Sequence, residues 1–166
     1  MKKQLLTAVL IFSAVSAAVP AFAAPQSAPA HLQAALILKL LPYYGNLGDK
    51  QITIHVVGAD DVAEQLKSSL GKALGKATLV NVTTGDTPVD GAAVVYVGKN
   101  AADNISWTQA HQALSITGNP DLVTQGVTLG IGLENAKPKI FLNLTSSKAE
   151  GADWNPAILK VAETMS

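Results

Sequence analysis

The chain has 166 residues, with 12 basic residues, all of them Lys, balanced by 12 acidic ones, three His and no Cys. A neutral chain without Arg lacks the clustered positive charge and guanidinium forks on which nucleic-acid recognition relies. The missing thiols exclude disulfides and cysteine chemistry, so stability must come from packing alone.

Residues 1–23 read as a cleavable secretory signal peptide. Lys2 and Lys3 precede an apolar run from Leu5 to Val19, followed by Pro20 and the small-residue pattern Ala21-Phe22-Ala23. The run is short for a membrane span, and there is no cysteine to carry a lipid, so the expectation is a soluble periplasmic protein without membrane insertion after cleavage. Loss of Lys2 and Lys3 would leave 10 Lys against 12 acidic residues. Roughly 140 residues then remain, enough for one α/β domain with a real core.

Residues 24–30 are small and contain Pro, which predicts a flexible leader, with one domain over 31–166. Leu32 to Leu41 is apolar nearly all round, a largely buried helix ended by Pro42. Gln51 to Val57 alternates as a strand with Ile52, Ile54 and Val56 on one face. Asp61 and Glu64 then suggest an acidic capping box on a helix running to about Leu74, burying Val62, Leu66, Leu70 and Ala73.

Ala77 to Thr83 reads as a second strand, and the unbroken apolar run Ala92–Val97 as a central one covered on both faces. A helix over Ala101 to Gln112 and a strand over Ala113 to Thr117 follow, then a short helix capped by Asn119-Pro120 and stopped at Gly126. Alternation through Val127–Leu133 and Lys139–Leu144 predicts an antiparallel hairpin, and Asn155-Pro156 caps a closing helix with Ile158, Leu159 and Ala162 inside. The expected fold is an α/β single-domain sandwich: a mixed, mostly parallel sheet flanked by helices, with a C-terminal β-hairpin plus closing helix.

No catalytic constellation emerges. Gly71 to Ala77 superficially matches a phosphate loop, but three residues rather than four separate its glycines and Ala77 replaces the magnesium-binding hydroxyl. A helix end with left-handed Gly75 explains it better. Gly126, Gly130 and Gly132 fall in a hairpin strand and open no helix, so they mark close backbone approach. His31, His55 and His111 show no metal spacing, and capping accounts for Asp60-Asp61. No Gly-x-Ser-x-Gly elbow exists. The glycosylation triplets at Asn81, Asn104 and Asn143 lie in predicted regular elements and are uninformative. Tyr43, Tyr44, Trp107 and Trp154 remain as aromatic interface candidates, Tyr43, Tyr44 and Trp154 being the partner-binding choice.

In order, several segments resemble the YfiR family of small periplasmic proteins: the helix Leu32–Lys39, the strand Ile52–Gly58, the apolar strand Ala93–Val97, then Ala113–Gly118, Gly126–Gly130, Lys139–Leu144 and Ile158–Ala162. The Phe141-Leu142-Asn143-Leu144 ending is the most telling block. Pro42-Tyr43-Tyr44-Gly45 stands where family members often have an aromatic-Trp-Pro ending, Gln125-Gly126 replaces a glycine pair, and the namesake's cysteines are missing. The resemblance implies an α/β sandwich, a tendency to homodimerise and a non-enzymatic regulator without cofactor or metal. It further implies binding and repression of an inner-membrane sensor, of the GGDEF (diguanylate cyclase) or histidine kinase type. The alternative from a different class is a periplasmic small-solute-binding module using the crevice near Gly58 and Gly98.

Overall fold

A computed structural model describes residues 25–166. The signal peptide expected over 1–23 lies outside the described residues. The chain runs β1 (Gln26–Ser27), α1 (Ala30–Leu40), β2 (Gln51–Val57), α2 (Asp60–Lys67), β3 (Ala73–Leu74), β4 (Ala77–Gly85), β5 (Ala92–Val97) and α3 (Ala101–His111). It continues through β6 (Leu114–Thr117), α4 (Pro120–Thr124), β7 (Leu129–Glu134), β8 (Lys137–Asn143), α5 (Leu144–Ala149) and β9 (Ala162–Met165). Short 3-10 helices cover Leu41–Tyr43, Gly45–Leu47 and Pro156–Lys160.

The strands form one mixed sheet in the order β3-β4-β2-β5-β6-β7-β8-β9, with β1 added antiparallel to β7. β4, β2, β5, β6 and β7 are mutually parallel, while β3 and β8 run antiparallel to their neighbours. This is the α/β sandwich expected from the alternating apolar pattern. β5 sits between β2 and β6, and its six residues are buried or half-buried, which explains the unbroken Ala-Ala-Val-Val-Tyr-Val run.

Alternation divides the core in two. Ile52, Ile54, Val56, Val94, Leu129 and Ile131 join α1 and α2 in the larger cluster, whereas Val57, Val95, Val97 and Val127 pack with Ile105 of α3 in the smaller one. Gly130 and Gly132 let α4 approach the sheet: a Cβ on Gly132 would lie 2.5 Å from Pro120 Cγ, and one on Gly130 would strike Val123.

Four expectations change. Residues 24–30 are not a free leader, because Gln26 and Ser27 pair with β7 and Ala28 is buried. α2 stops at Lys67, and Ala73–Leu74 form a hairpin with β4 whose two-residue turn holds Gly75 at φ +68°. Left-handed glycines at 71 and 75 break the helix, leaving Leu70 49% exposed. Leu144 starts α5 instead of ending β8, since the Asn143 side chain accepts from the Ser146 N–H at 2.9 Å. The closing helix is a 3-10 turn that buries Ile158 but exposes Leu159, after which Ala162–Met165 adds a parallel edge strand on β8.

One crossover lacks a helix. Gly85 at the end of β4 is level with Val57, whereas Ala92 at the start of β5 is level with Thr53. The six residues between, Asp86–Gly91, therefore return the length of the sheet as a bare strap, pinned where Asp86 meets Lys99 at 2.7 Å.

Candidate partner interface

Pro42 ends α1 and turns the chain so that Tyr44 forms an isolated antiparallel bridge with Trp154. The bridge is tight: the Gly45 N–H donates to the Asp153 carbonyl at 2.7 Å, and the Asn155 N–H to the Tyr43 carbonyl at 2.8 Å. Gly45 gives this seam room, because a Cβ would sit 2.9 Å from Asp153 Oδ2 and 3.2 Å from its carbonyl. Asn46 closes the same seam, donating to the Gly151 carbonyl and accepting from the Asp153 N–H.

The three sequence-selected aromatics therefore come together, in different roles. Tyr44 is 3% exposed and belongs to the core; burial, with the charge of Glu150 adding to it, pushes its hydroxyl up to about 12. Its ring lies 5.2 Å from that of Trp154 at 48°. Trp154 is half-buried, and its Nε1–H donates to Ser147 Oγ at 2.8 Å. Tyr43 is half-buried beside it. The 3-10 helix that follows presents Leu159 and Val161, 53% and 51% exposed. Tyr43, Trp154, Leu159 and Val161 are thus apolar or amphipathic side chains facing solvent on linked segments, of the kind that anchors protein contacts. Sequence reasoning missed Leu159 and Val161, having placed Leu159 on an inner helix face. Trp107, the fourth aromatic, stacks instead on His111 with centroids 4.0 Å apart.

At the crevice near Gly58 and Gly98 the neighbouring backbones approach closely. A Cβ on Gly98 would lie 2.6 Å from the Val57 carbonyl, and the Lys99 side chain lies across Gly58. An open groove of about 580 Å³ lies between α2 and β4, lined by Asp60, Asp61, Ala63, Glu64, Lys67 and Thr84. Among the described residues no three His, Asp or Glu side chains converge as a metal centre.

Buried polar groups are structural braces that the sequence concealed. Glu150 accepts from Thr108 Oγ1 and Thr128 Oγ1, each at 2.7 Å, and from the Ser115 N–H at 3.1 Å, while burial raises its carboxyl above the ordinary value. Tyr96 donates to Gln33 Oε1 and accepts from the Gly118 N–H, and the Gln33 amide donates to the Ala28 carbonyl. That chain holds the residues before α1 against the sheet. His55 is 1% exposed, with Nδ1 paired to Thr83 Oγ1 at 2.8 Å and Nε2 facing the Thr87 carbonyl without a hydrogen bond of good geometry. It is the buried histidine expected, paired at one nitrogen.

A family model described as YfiR/HmsC-like matches residues 30–163. No curated protein matches the chain. A crystal structure of a conserved domain protein from Vibrio cholerae O1 biovar El Tor shares the fold at a TM-score of 0.54 and 16% identity, over 85% of this chain. The chain spans 61% of that structure's length. The match over nearly all the described residues places the chain in the YfiR/HmsC-like family.

Proposed function

We propose that this YfiR/HmsC-like chain is a non-enzymatic regulatory protein of the periplasm that binds and represses a membrane-bound sensor, either a diguanylate cyclase or a histidine kinase. The family match over residues 30–163 carries the reading. The composition agrees with it, as does the signal-peptide pattern of residues 1–23, whose cleavage leaves Ala24 as the first residue. Repression of this kind requires no chemistry: the protein needs only to bind the inactive conformation of the sensor more tightly than the active one.

Tyr43, Trp154, Leu159 and Val161 form the contact surface in this reading. Burying two aliphatic side chains that are half exposed in the free protein supplies a few kcal/mol at about 25 cal/mol per Å². Capture of the tagged protein from membranes should recover a sensor with a GGDEF or histidine-kinase output domain, and deletion should raise cyclic-di-GMP or kinase output. Leu159→Glu with Val161→Glu should abolish capture while leaving the melting temperature unchanged. Capture without any such sensor, and unchanged output on deletion, would sink the proposal.

A further inference from the structure

At the amino ends of β2 and β5, the opposite end of the strands from Gly58 and Gly98, a cavity of about 280 Å³ lies between the 3-10 turn Gly45–Leu47 and the end of α3. The buried side chains of Leu47, Ile52 and Ala92 give it an aliphatic floor, and the exposed residues Lys50, His111 and Gln112 stand around it.

Tyr44 lines the same cavity and is the unusual member of the set. The residue is 3% exposed, yet its hydroxyl takes part in no hydrogen bond among the described residues. Nor is that oxygen sealed from solvent, as the unpaired Nε2 of His55 and Oδ1 of Asn104 are. The charge of Glu150, which sits over β6 and the approach to β7, acts on the hydroxyl. The hydroxyl therefore lies on the α3 side of the ring, toward His111 and Gln112, and away from β3. A buried side chain with one free O–H turned to a cavity is a donor waiting for an acceptor, because an unpaired polar group is costly to bury.

The charges around the cavity say which end of a ligand goes where. Lys50 takes part in no salt bridge among the described residues, so its ammonium is free. A carbonyl only accepts, so His111 Nδ1, 2.8 Å from the Trp107 carbonyl, carries the ring proton, and stacking on Trp107 holds the ring in place. Neutral His111 then turns a lone pair outward at Nε2, with Asp90 3.8 Å from it. An anionic group is repelled there and is directed to Lys50 and Tyr44.

We propose that this cavity binds a short-chain aliphatic carboxylate, its anionic end held by the Lys50 ammonium and the Tyr44 hydroxyl and its hydrocarbon chain laid on Leu47, Ile52 and Ala92. Both contacts to the carboxylate are charge-assisted, and the aliphatic floor takes the rest of the molecule out of water. The site belongs to the chain alone and does not rest on the sensor reading.

Sodium butyrate is the probe, titrated into the purified, nitrogen-labelled protein and followed by amide NMR. The amides of Gly91, Ala92 and Gln112 should shift and saturate with a dissociation constant of about 0.1–10 mM. Butan-1-ol and butylamine, of the same chain length, should bind at least about tenfold more weakly. Lys50→Gln and Tyr44→Phe should each weaken butyrate binding about tenfold or more, whereas Lys76→Gln, outside the cavity, should bind as the native chain does. Tyr44→Phe should keep the native melting temperature, since the hydroxyl it removes has no partner to lose. Shifts that fail to saturate by about 100 mM overturn the proposal, as does butan-1-ol binding as tightly as butyrate. Native affinity in Lys50→Gln or Tyr44→Phe overturns it too, and so does a lower melting temperature for Tyr44→Phe, which would give the hydroxyl a partner inside the fold.

Discussion

The Glu150 carboxylate accepts the Thr128 hydroxyl at 2.7 Å in a site where both residues are fully excluded from solvent. With Thr108 and Ser115 completing the set, one side chain ties the end of α5 to α3, to β6 and to the approach to β7. Glu150→Ala would leave the Thr128 hydroxyl and the Ser115 N–H without partners, the Thr108 hydroxyl keeping the Ile105 carbonyl at 3.0 Å, and should cost about 2–4 kcal/mol in urea unfolding; Glu150→Gln, which keeps an acceptor, should cost about half as much. Burial raises this carboxyl above its ordinary 4.5, so the folded state binds the proton more tightly than the unfolded chain does. The group's contribution is therefore full below about 4.5 and is lost as the pH rises through the folded value. The difference in stability between wild type and Glu150→Gln should narrow with rising pH across that window, and a constant difference would refute this.

His55 should act in the opposite sense. Burial lowers its value from 6.5, so the unfolded chain takes up the proton first. Stability from this residue is full above pH 6.5 and declines as the pH falls towards the folded value. His55→Asn, which retains a partner for Thr83, should flatten the slope below pH 6.5 relative to wild type in denaturant titrations at a series of pH values. Equal slopes would show that His55 does not titrate there. The two contributions have opposing signs, so the single variants are needed to separate them.

How much of this was legible in the sequence followed the range of the forces involved. β2 and β5 begin and end where the alternation and the apolar run say, because both are decided by which face of the sheet is covered. The end of α2 was missed because Leu70 and Ala73 continue the helical period, while the deciding feature is the conformation of Gly71 and Gly75. The ordering of Ala28 rests on Gln33, which reads as a mere polar interruption in α1 until Tyr96 is seen to meet it from 63 residues away. Glu150 is less visible still, since its three partners are scattered over Thr108, Ser115 and Thr128. The aromatic seam was half legible: Tyr44 and Trp154 do meet, but only the fold shows that Tyr44 faces inward.

Gly98 offers a test of backbone closeness. Its φ is ordinary, so an alanine there is opposed by space alone: the new methyl would lie 2.6 Å and 2.7 Å from the carbonyl oxygens of Val57 and Gly58. Backbone atoms at the carboxyl ends of β2 and β5 cannot rotate away as a side chain can. Gly98→Ala should cost about 1–3 kcal/mol and loosen the neighbouring Lys99–Asp86 pair, detectable as faster amide exchange in the strap from Asp86 to Gly91. Unchanged exchange with unchanged stability would mean that the β2–β5 contact yields easily.

The hairpin between β7 and β8 predicts a gain. Glu134 pairs with Lys137, so Asn135 and Ala136 make up the whole turn, and both lie in the left-handed region at φ 51° and 59°. That is the geometry a two-residue hairpin needs to follow the strand twist, and it favours Asn at the first position and Gly at the second. Asn135 fits, whereas the Cβ of Ala136 crowds the following carbonyl at a cost of about 1–2 kcal/mol. Ala136→Gly removes that strain but gives the unfolded chain more freedom, worth about 0.4–1 kcal/mol against folding. The first effect is the larger, so the variant should be more stable by about 0.5–1 kcal/mol, with a higher urea midpoint and an unchanged slope. Ala136→Val, β-branched at the same φ, should move the midpoint the other way. The effect should reach the last strand, because Lys139, two residues after the Lys137 that closes the turn, bridges Glu134 and Glu163. A lower midpoint for Ala136→Gly would mean that the turn relaxes out of the left-handed region in solution, leaving the hairpin register to the ladder pairs from Leu129–Leu142 to Leu133–Pro138.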